Sequence, residues 1–326
     1  MGETEGRTEG MSERLFVISD VHGFASEAKR ALNMAGFDPK NLNHRLIVLG
    51  DVFDRGPQAV AVYRWLSSLK RVTLIRGNHE TLMRDMVARG IPVDYDISNG
   101  TWDTALQLAG ETQESVAERY QKEKKETPLS SKAHPSQTDL SGDIDALKKD
   151  IEENDRLARG IYADVFRKAS KSKAYAWQQG SQWIDYLRLG DFVFVHCWVP
   201  VESLDGLPPY YLENRRFAKK PDWEKATAKE WEDAAWGCPF LMNEAGLRPD
   251  GLTIVMGHWH SKDFHRRYDH VVNDYSGYAG QGMIALDGCT VLSKRVNVAL
   301  FDKDGDKVSF VGFAPWEPKK RKKKGQ

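Results

Sequence analysis

Short apolar runs that stop abruptly on an Asp, Asn or His recur five times along this chain. Residues 15–19 (LFVIS) lead into Asp20-Val21-His22-Gly23, 46–49 (LIVL) into Gly50-Asp51-Val52-Phe53-Asp54-Arg55-Gly56, and 72–75 (VTLI) into Arg76-Gly77-Asn78-His79-Glu80. In the second half, 192–195 (FVFV) leads into His196, and 253–256 (TIVM) into Gly257-His258-Trp259-His260. Uninterrupted apolar runs this short predict strands buried on both faces. Helical segments predicted at 26–35 and 58–69 separate the first three, which gives a β-α-β-α-β unit and an α/β chain. In such chains the loops at the carboxyl ends of neighbouring strands hold ligands. Further strands are predicted at 283–286, 296–301 and 307–313, the last two joined by a turn in Asp302-Lys303-Asp304-Gly305-Asp306.

The residues that end these runs are a set of oxygen and nitrogen donors sufficient for two metal sites. Carboxylates bring the negative charge that holds two dications close together, and neutral imidazoles complete the shells without adding more. That mixture suits manganese, iron or zinc better than calcium. Asp287, which follows the strand predicted at 283–286, reads as a turn-forming aspartate, with a supporting place behind the metal ligands as the alternative.

Taken together, Asp20-Val21-His22-Gly23, Gly50-Asp51-Val52-Phe53-Asp54-Arg55-Gly56, Gly77-Asn78-His79-Glu80, His196 and Gly257-His258-Trp259-His260 resemble the motifs of the calcineurin-like metallophosphoesterases. The nearest resemblance is to the bacterial and phage-type Ser/Thr protein phosphatase group, over residues 14–301 apart from a charged insertion. It implies a four-layer α-β-β-α sandwich of two mixed β-sheets flanked by helices. It also implies that Asp20, His22 and His260 hold one divalent ion, that Asn78, His196 and His258 hold a second, and that Asp51 bridges them. Manganese is expected, with iron or zinc as alternatives. By the same resemblance a metal-bridging hydroxide attacks phosphorus directly, His79 protonates the leaving oxygen, Asp54 orients His79, and Arg55 and Asn78 contact the phosphate. The substrate implied is phosphoserine or phosphothreonine in a protein, or a small phosphoester. A symmetrical bis(5'-nucleosyl)-tetraphosphatase is the alternative, and a non-catalytic metal-binding scaffold a third reading that the presence of His79 and Asp54 disfavours.

This sequence departs from the eukaryotic members in three places. No arginine stands in register near Trp236-Gly237-Cys238-Pro239, Cys197-Trp198 follows His196 where two small residues are usual, and the Ser-Ala-Pro-Asn-Tyr-Cys segment is missing near Ser276-Gly277-Tyr278. Ser98-Asn99-Gly100-Thr101-Trp102 instead looks like the Asn-Gly turn of bacterial and phage members.

Composition bounds the rest. The chain has 326 residues, with 47 Lys and Arg against 47 Asp and Glu, and a net charge of zero argues against a nucleic-acid partner. The exception is non-specific contact by the basic run 319–324 (KKRKKK). A mean hydropathy of −0.57 and the lack of any long apolar stretch argue against a membrane partner. Cys197, Cys238 and Cys289 are too scattered for a disulfide framework, so a reducing cytoplasm is expected. The expected organisation is a flexible N-terminus at 1–13, one catalytic domain at 14–313 with a charged helical insertion at about 111–160, and a basic tail at 314–326.

Overall fold

The computed structural model describes residues 12–126, 140–204 and 216–317. Most of the expected N-terminus, the middle of the charged insertion and the basic run 319–324 lie outside these residues. The chain divides into two compact units, one made of residues up to 81 and from 179 onward, the other of residues 82–178.

The strands of the first unit, in chain order, are β1 (Glu13–Ile18), β2 (His44–Val48), β3 (Val72–Ile75), β4 (Trp183–Ile184), β5 (Tyr186–Leu189), β6 (Phe192–Val195), β7 (Val201–Ser203), β8 (Phe217–Lys219), β9 (Thr253–Met256), β10 (Tyr278–Gly280), β11 (Met283–Ala285), β12 (Ala299–Asp304) and β13 (Lys307–Phe313). One sheet has the order β13-β12-β1-β2-β3-β4, another β10-β11-β9-β6-β5, and β7 and β8 form a small pair. Both large sheets are mixed: β1 to β4 run parallel with β12 antiparallel to β1, and β11, β9 and β6 run parallel between antiparallel edges β10 and β5. Helices α1 (Ala25–Met34) and α2 (Ala59–Leu66) fill the crossovers between β1, β2 and β3.

The alternation of side chains explains why the apolar runs are continuous. Leu15 and Val17 of β1, Ile47 of β2, Phe194 of β6, Val255 of β9 and Ile284 of β11 form one core between the two sheets, closed by Ala299 and Phe301. Their neighbours in sequence point the other way. Val193, Val195, Ile254, Met256, Met283 and Ala285 pack against Trp231, Phe240 and Phe264, while Phe16, Ile18, Leu46 and Val48 are buried on the opposite face of the first sheet. A strand covered on both sides has no solvent face to make polar. This is the arrangement of two mixed sheets flanked by helices that the resemblance implies.

The second of the last three strands begins later than expected, at Ala299 rather than 296, and extends through Asp304, so the turn narrows to Gly305 and Asp306. Asn297 accounts for part of the delay, because its side-chain amide bonds Tyr275 O and Leu286 O instead of extending the ladder.

The second unit is helical, with the remainder of α3 (Asn78–Arg89) followed by α4 (Asp94–Ser98), α5 (Thr101–Ala109), α6 (Gln113–Glu126), α7 (Leu140–Ser170) and α8 (Lys173–Gln178). Its core is the face between α5 and α7, where Trp102 meets Tyr162 and Phe166 edge-on at 5.4 and 5.7 Å. Gly100, at φ 74°, starts α5 from a left-handed turn that glycine adopts without strain, which is how the Asn99-Gly100 pair acts here. The compact unit therefore extends beyond 111–160 on both sides.

Candidate metal centre

Every donor named from the sequence follows the carboxyl end of a strand that runs parallel to at least one neighbour: Asp20 and His22 after β1, Asp51 after β2, Asn78 after β3, His196 after β6, and His258 and His260 after β9. The backbone holds these ends together beyond the strands themselves. His22 N–H donates to Asp51 O at 2.9 Å, Gly23 N–H to Val52 O at 2.9 Å, and Gly257 N–H to His196 O at 2.8 Å.

The turns are tight enough to force unusual backbone. Asp20, His22, Asp51, Asp54, Arg55 and His258 all have φ between 45° and 62°. A non-glycine residue there costs about 1–2 kcal/mol, and such strain concentrates at functional sites. Glycine is required where two turns touch: a methyl on Gly77 would strike the Asp51 carboxylate and stand 2.7 Å from the Asp51 nitrogen.

Two groups of donors converge on Asp51. Ligand atoms of Asp51, His196 and His258 lie within 4.8 Å of one another, as do those of His22, Asp51 and His79. In the first group His196 Nδ1 donates to Leu49 O at 2.6 Å, which leaves Nε2 as a lone pair on the neutral ring. That lone pair faces Asn78 Oδ1 at 2.8 Å, His258 Nδ1 at 3.2 Å and Asp51 Oδ1 at 3.4 Å, and Asn78 Oδ1 is also 3.0 Å from His258 Nδ1. With Asp51 ionised, at most one proton, on His258 Nδ1, is available to these four atoms. Acceptors aimed at each other in a buried space repel unless a cation sits among them, so the residues fit a metal ion.

On the other side His22 Nδ1 donates to Phe53 O at 3.2 Å, and its Nε2 faces Asp51 Oδ2 at 3.9 Å and Asp20 Oδ1 at 4.0 Å. Asp20 also accepts from His258 N–H at 3.0 Å and from the Ser19 hydroxyl. His260 is in neither group. Its Nε2 lies 3.7 Å from Asp287 Oδ2 and its Nδ1 3.8 Å from Asp263 Oδ2, with a third of the side chain exposed. His79 Nδ1 donates to the fully buried Asp54 Oδ2 at 2.8 Å, and its Nε2 stands 3.8 Å from Asp51 Oδ2. Arg55 is exposed, with Nη1 3.5 Å from His22 Nε2.

The electrostatics agree with this fit. Burial, then the charge of Asp287, pushes the Asp20 carboxyl well above its usual range; burial, then Asp20 and Glu80, does the same to Asp51. Burial drives His22 and His258 well below the ordinary imidazole value and His196 down to about 3. Imidazoles that stay neutral and carboxylates that repel one another are a donor set completed by positive charge from outside the chain.

Two residues carry more than the sequence reading gave them. Glu80 is fully buried and accepts three backbone N–H groups, from Gly77 at 2.8 Å, Asp51 at 3.0 Å and Val52 at 3.1 Å. Burial raises its carboxyl and the three bonds pull it back down. It ties the β2 and β3 turns into one piece, a role whose signal was its place in Gly77-Asn78-His79-Glu80. Asp287 does form a turn, accepting from Cys289 N–H at 2.7 Å, yet it is 3% exposed and also faces His260. Among the departures from the eukaryotic pattern, Trp198 is buried core. Trp236 is half-buried with its ring edge-on to His258 at 6.0 Å, beside Gly237 O, which accepts from Cys197 Sγ at 3.1 Å and Trp259 Nε1 at 3.0 Å.

Comparison with known proteins places this geometry in a family. The calcineurin-like phosphoesterase family matches residues 13–276. A serine/threonine-protein phosphatase 1 of Salmonella typhimurium is 32% identical over 92 residues, 28% of this chain and 41% of that protein. A symmetrical bis(5'-nucleosyl)-tetraphosphatase of Buchnera aphidicola is 40% identical over 67 residues, 20% of this chain and 24% of that protein. The matches thus span less than half the length of either relative. A metallophosphoesterase from Sphaerobacter thermophilus of known structure overlaps 92% of this chain and 87% of its own, at 13% identity and a TM-score of 0.40. With the family matched from before the first motif to beyond the last, the chain belongs to the calcineurin-like phosphoesterases.

Proposed function

We propose that this phosphoesterase hydrolyses phosphomonoesters with two divalent ions, and that its substrates are phosphoserine and phosphothreonine side chains of proteins. The observation that carries the reading is the bond between His79 Nδ1 and the buried Asp54 at the edge of the Asp51 cluster. With Nδ1 bonded to a buried carboxylate and Nε2 turned toward the Asp51 cluster, this imidazole is held as a proton donor to the leaving oxygen would be.

Asp20, His22 and His260 would hold one ion with Asp51, and Asn78, His196 and His258 the other. Manganese is the favoured metal, with iron or zinc compatible with the same mixture of oxygen and nitrogen donors. When bound, two such ions acidify water into a nucleophile and neutralise phosphate charge. The remaining chemistry belongs to the chain. Arg55 presents a planar pair of donors to the phosphoryl oxygens from the exposed rim, and Asn78 lies beside them. His79, protonated on both nitrogens, gives its Nε2 proton to the leaving oxygen, while Asp54 holds the ring in place and balances its charge. Glu80 keeps the Asp51 turn and the His79 turn in register, so that the bridging carboxylate and the acid stay within about the 4 Å seen between them.

A second substrate reading is favoured by Trp236. Its half-buried ring beside His258, with no arginine in register, suits a nucleobase as well as a peptide, and would make the chain a symmetrical dinucleoside tetraphosphatase. Purified protein with Mn2+ should be given a phosphoserine peptide and diadenosine tetraphosphate in parallel. The phosphatase reading requires the higher kcat/KM on the peptide; a large preference for the dinucleotide overturns it. The three cysteines are free and buried, in keeping with a reducing cytoplasm. No helix among the described residues is long and apolar enough to cross a membrane.

A further inference from the structure

We propose that Asp287 is a metal-site carboxylate that, together with His260, holds the ion on the Asp20–His22 side of the cluster. The inference rests on the two-ion reading above and adds to it a residue that lies outside the five motifs.

The argument starts from the backbone. Strand β11 lies parallel to β9, and past its end the two chains stay paired: Leu286 N–H donates to Met256 O at 2.8 Å and Ser261 N–H to Asp287 O at 2.7 Å, with the Ser261 hydroxyl on the same carbonyl at 2.9 Å. At its other end the β9 loop is pinned by His258 N–H on the Asp20 carboxylate. His260 therefore sits between two anchors, Asp20 on one side and Asp287 on the other. Asp287 emerges from the carboxyl end of a parallel strand, the position from which every motif donor also emerges.

The carboxylate is fixed as well as placed. One oxygen, Oδ1, is taken by Cys289 N–H in a turn whose Cys289 has φ 54°. The other, Oδ2, faces His260 Nε2 at 3.7 Å. That is too long for a hydrogen bond. It suits two donors on one cation, since ligand atoms each about 2.1 Å from an ion stand roughly 3 to 4 Å apart. Closing the turn takes only Oδ1, and the second oxygen is turned toward His260, as a carboxylate that shares an ion with this imidazole would be. With Asp20 and Asp51 it brings the carboxylates around the two dications to three.

The test separates the turn from the charge. Asp287→Asn keeps an oxygen for Cys289 N–H, whereas Asp287→Ala removes it. Mn2+ alone is titrated into full-length, metal-stripped protein by calorimetry, with electron paramagnetic resonance of the bound ions. Wild type should take up two ions with a spin-coupled signal. Asp287→Asn, stripped of metal, should melt like metal-stripped wild type; it should keep one ion and weaken the other by more than about 100-fold, beyond the range for losing an outer partner, so that isolated Mn2+ replaces the coupled signal, whereas a loss of about 10- to 100-fold would make Asp287 only a support for His260 and overturn the proposal. His260→Ala should weaken the same ion, and the double variant should add little to either single change. Wild-type uptake of both ions by Asp287→Asn, with a loss only in Asp287→Ala, reduces Asp287 to a turn former and overturns the proposal. Failure of wild type to bind two ions overturns the two-ion reading and this proposal with it.

Discussion

Buried acid in the sandwich and exposed acid in the helical unit have opposite fates. Around Asp51 the carboxyls of Asp20, Asp51 and Asp287 are pushed up by burial and, at Asp20 and Asp51, by one another, with Arg55 offsetting a part of it. In the helical unit Glu111 and Asp164 are held down by hydrogen bonds to Lys168, with Arg167 and Arg119 on Asp164 as well, at 2.8 Å from Arg119 and 3.0 Å from Lys168. One region satisfies its own charge and the other is arranged so that it does not. A protein that keeps six strained residues in three turns to assemble mutually repelling donors is completed by cations from solution, and that deficit, rather than any single residue, marks the functional end of the molecule.

The largest effect should come from the residue shared by both donor groups. Asp51→Asn should weaken both ions by more than about 100-fold, the upper end for losing a mere outer partner, and should abolish phosphoester hydrolysis while far-UV circular dichroism stays that of wild type. Glu111→Gln in the helical unit should change neither metal uptake nor turnover. Equal losses in the two variants would erase the contrast between the regions.

Next in size is the acid. His79→Asn should lower kcat by about 10²–10⁴-fold and leave calorimetric uptake of two Mn2+ intact. The loss should be smaller with p-nitrophenyl phosphate, whose leaving oxygen needs a proton less, than with a phosphoserine peptide. A variant that loses an ion instead would make His79 a ligand of the His22–Asp51 group and remove the leaving-group role.

Glu80 tests whether buried acid can also be satisfied from within. Glu80→Ala leaves three buried N–H groups without their acceptor, each worth about 1–3 kcal/mol. Thermal melting of the metal-stripped variant should therefore drop sharply, while Glu80→Gln, which keeps the oxygen Oε1 but trades the other for a donor, should fall between. A wild-type melt in Glu80→Ala would mean that water replaces the carboxylate.

Much of this was written in the chain. The double burial of Leu15 to Ile18 and of Phe192 to Val195 is legible because both faces of each strand are apolar, and the donors are legible because each stands immediately after such a run. Asp287 follows the same grammar, but Leu286-Asp287-Gly288 also spells a turn, and a residue that does both jobs shows only the commoner one. Glu80 was hidden for another reason: its partners are backbone N–H groups of Asp51 and Val52, contributed by another strand end, and backbone leaves no trace in side-chain identity. The exposed position of His260 is likewise set by pairing between β9 and β11, which no local pattern encodes.

The contrast also has a pH signature. The unfolded chain takes up a proton on His196 near pH 6.5 that the native ring refuses until about 3, so metal-free stability should fall as the pH is lowered between those values, by up to about 1.4 kcal/mol per pH unit for this group. Asp20 and Asp51 act in the opposite sense: the native state keeps protons that the unfolded chain releases above the usual carboxylate range, so their cost grows as the pH rises. Metal-stripped protein should thus melt highest in mildly acidic buffer, and added Mn2+ should raise the melting temperature most at neutral and higher pH, where it displaces those protons. A metal-induced shift that is constant with pH would place the ions elsewhere.

The smallest effect belongs to the charge that is already satisfied. Asp164 is held at about 2 by Lys168 and Arg167, then Arg119, so its contribution is present above the ordinary carboxylate value and is lost only as the pH falls through about 2. Its side chain is 29% exposed and those of Arg167 and Lys168 are 57% and 37% exposed, and pairs of this kind are worth about 0.2–1 kcal/mol at most. Asp164→Asn should therefore lower stability by no more than about 1 kcal/mol, in a way that vanishes in high salt, and should leave the Mn2+ titration untouched. Because Asp164 and Asp51 are both carboxylates, the pair of substitutions keeps the chemical change the same and varies whether the chain supplies the balancing charge; if Asp164→Asn cost as much as Asp51→Asn in metal uptake or turnover, charge satisfaction would be the wrong explanation for the difference between the two regions.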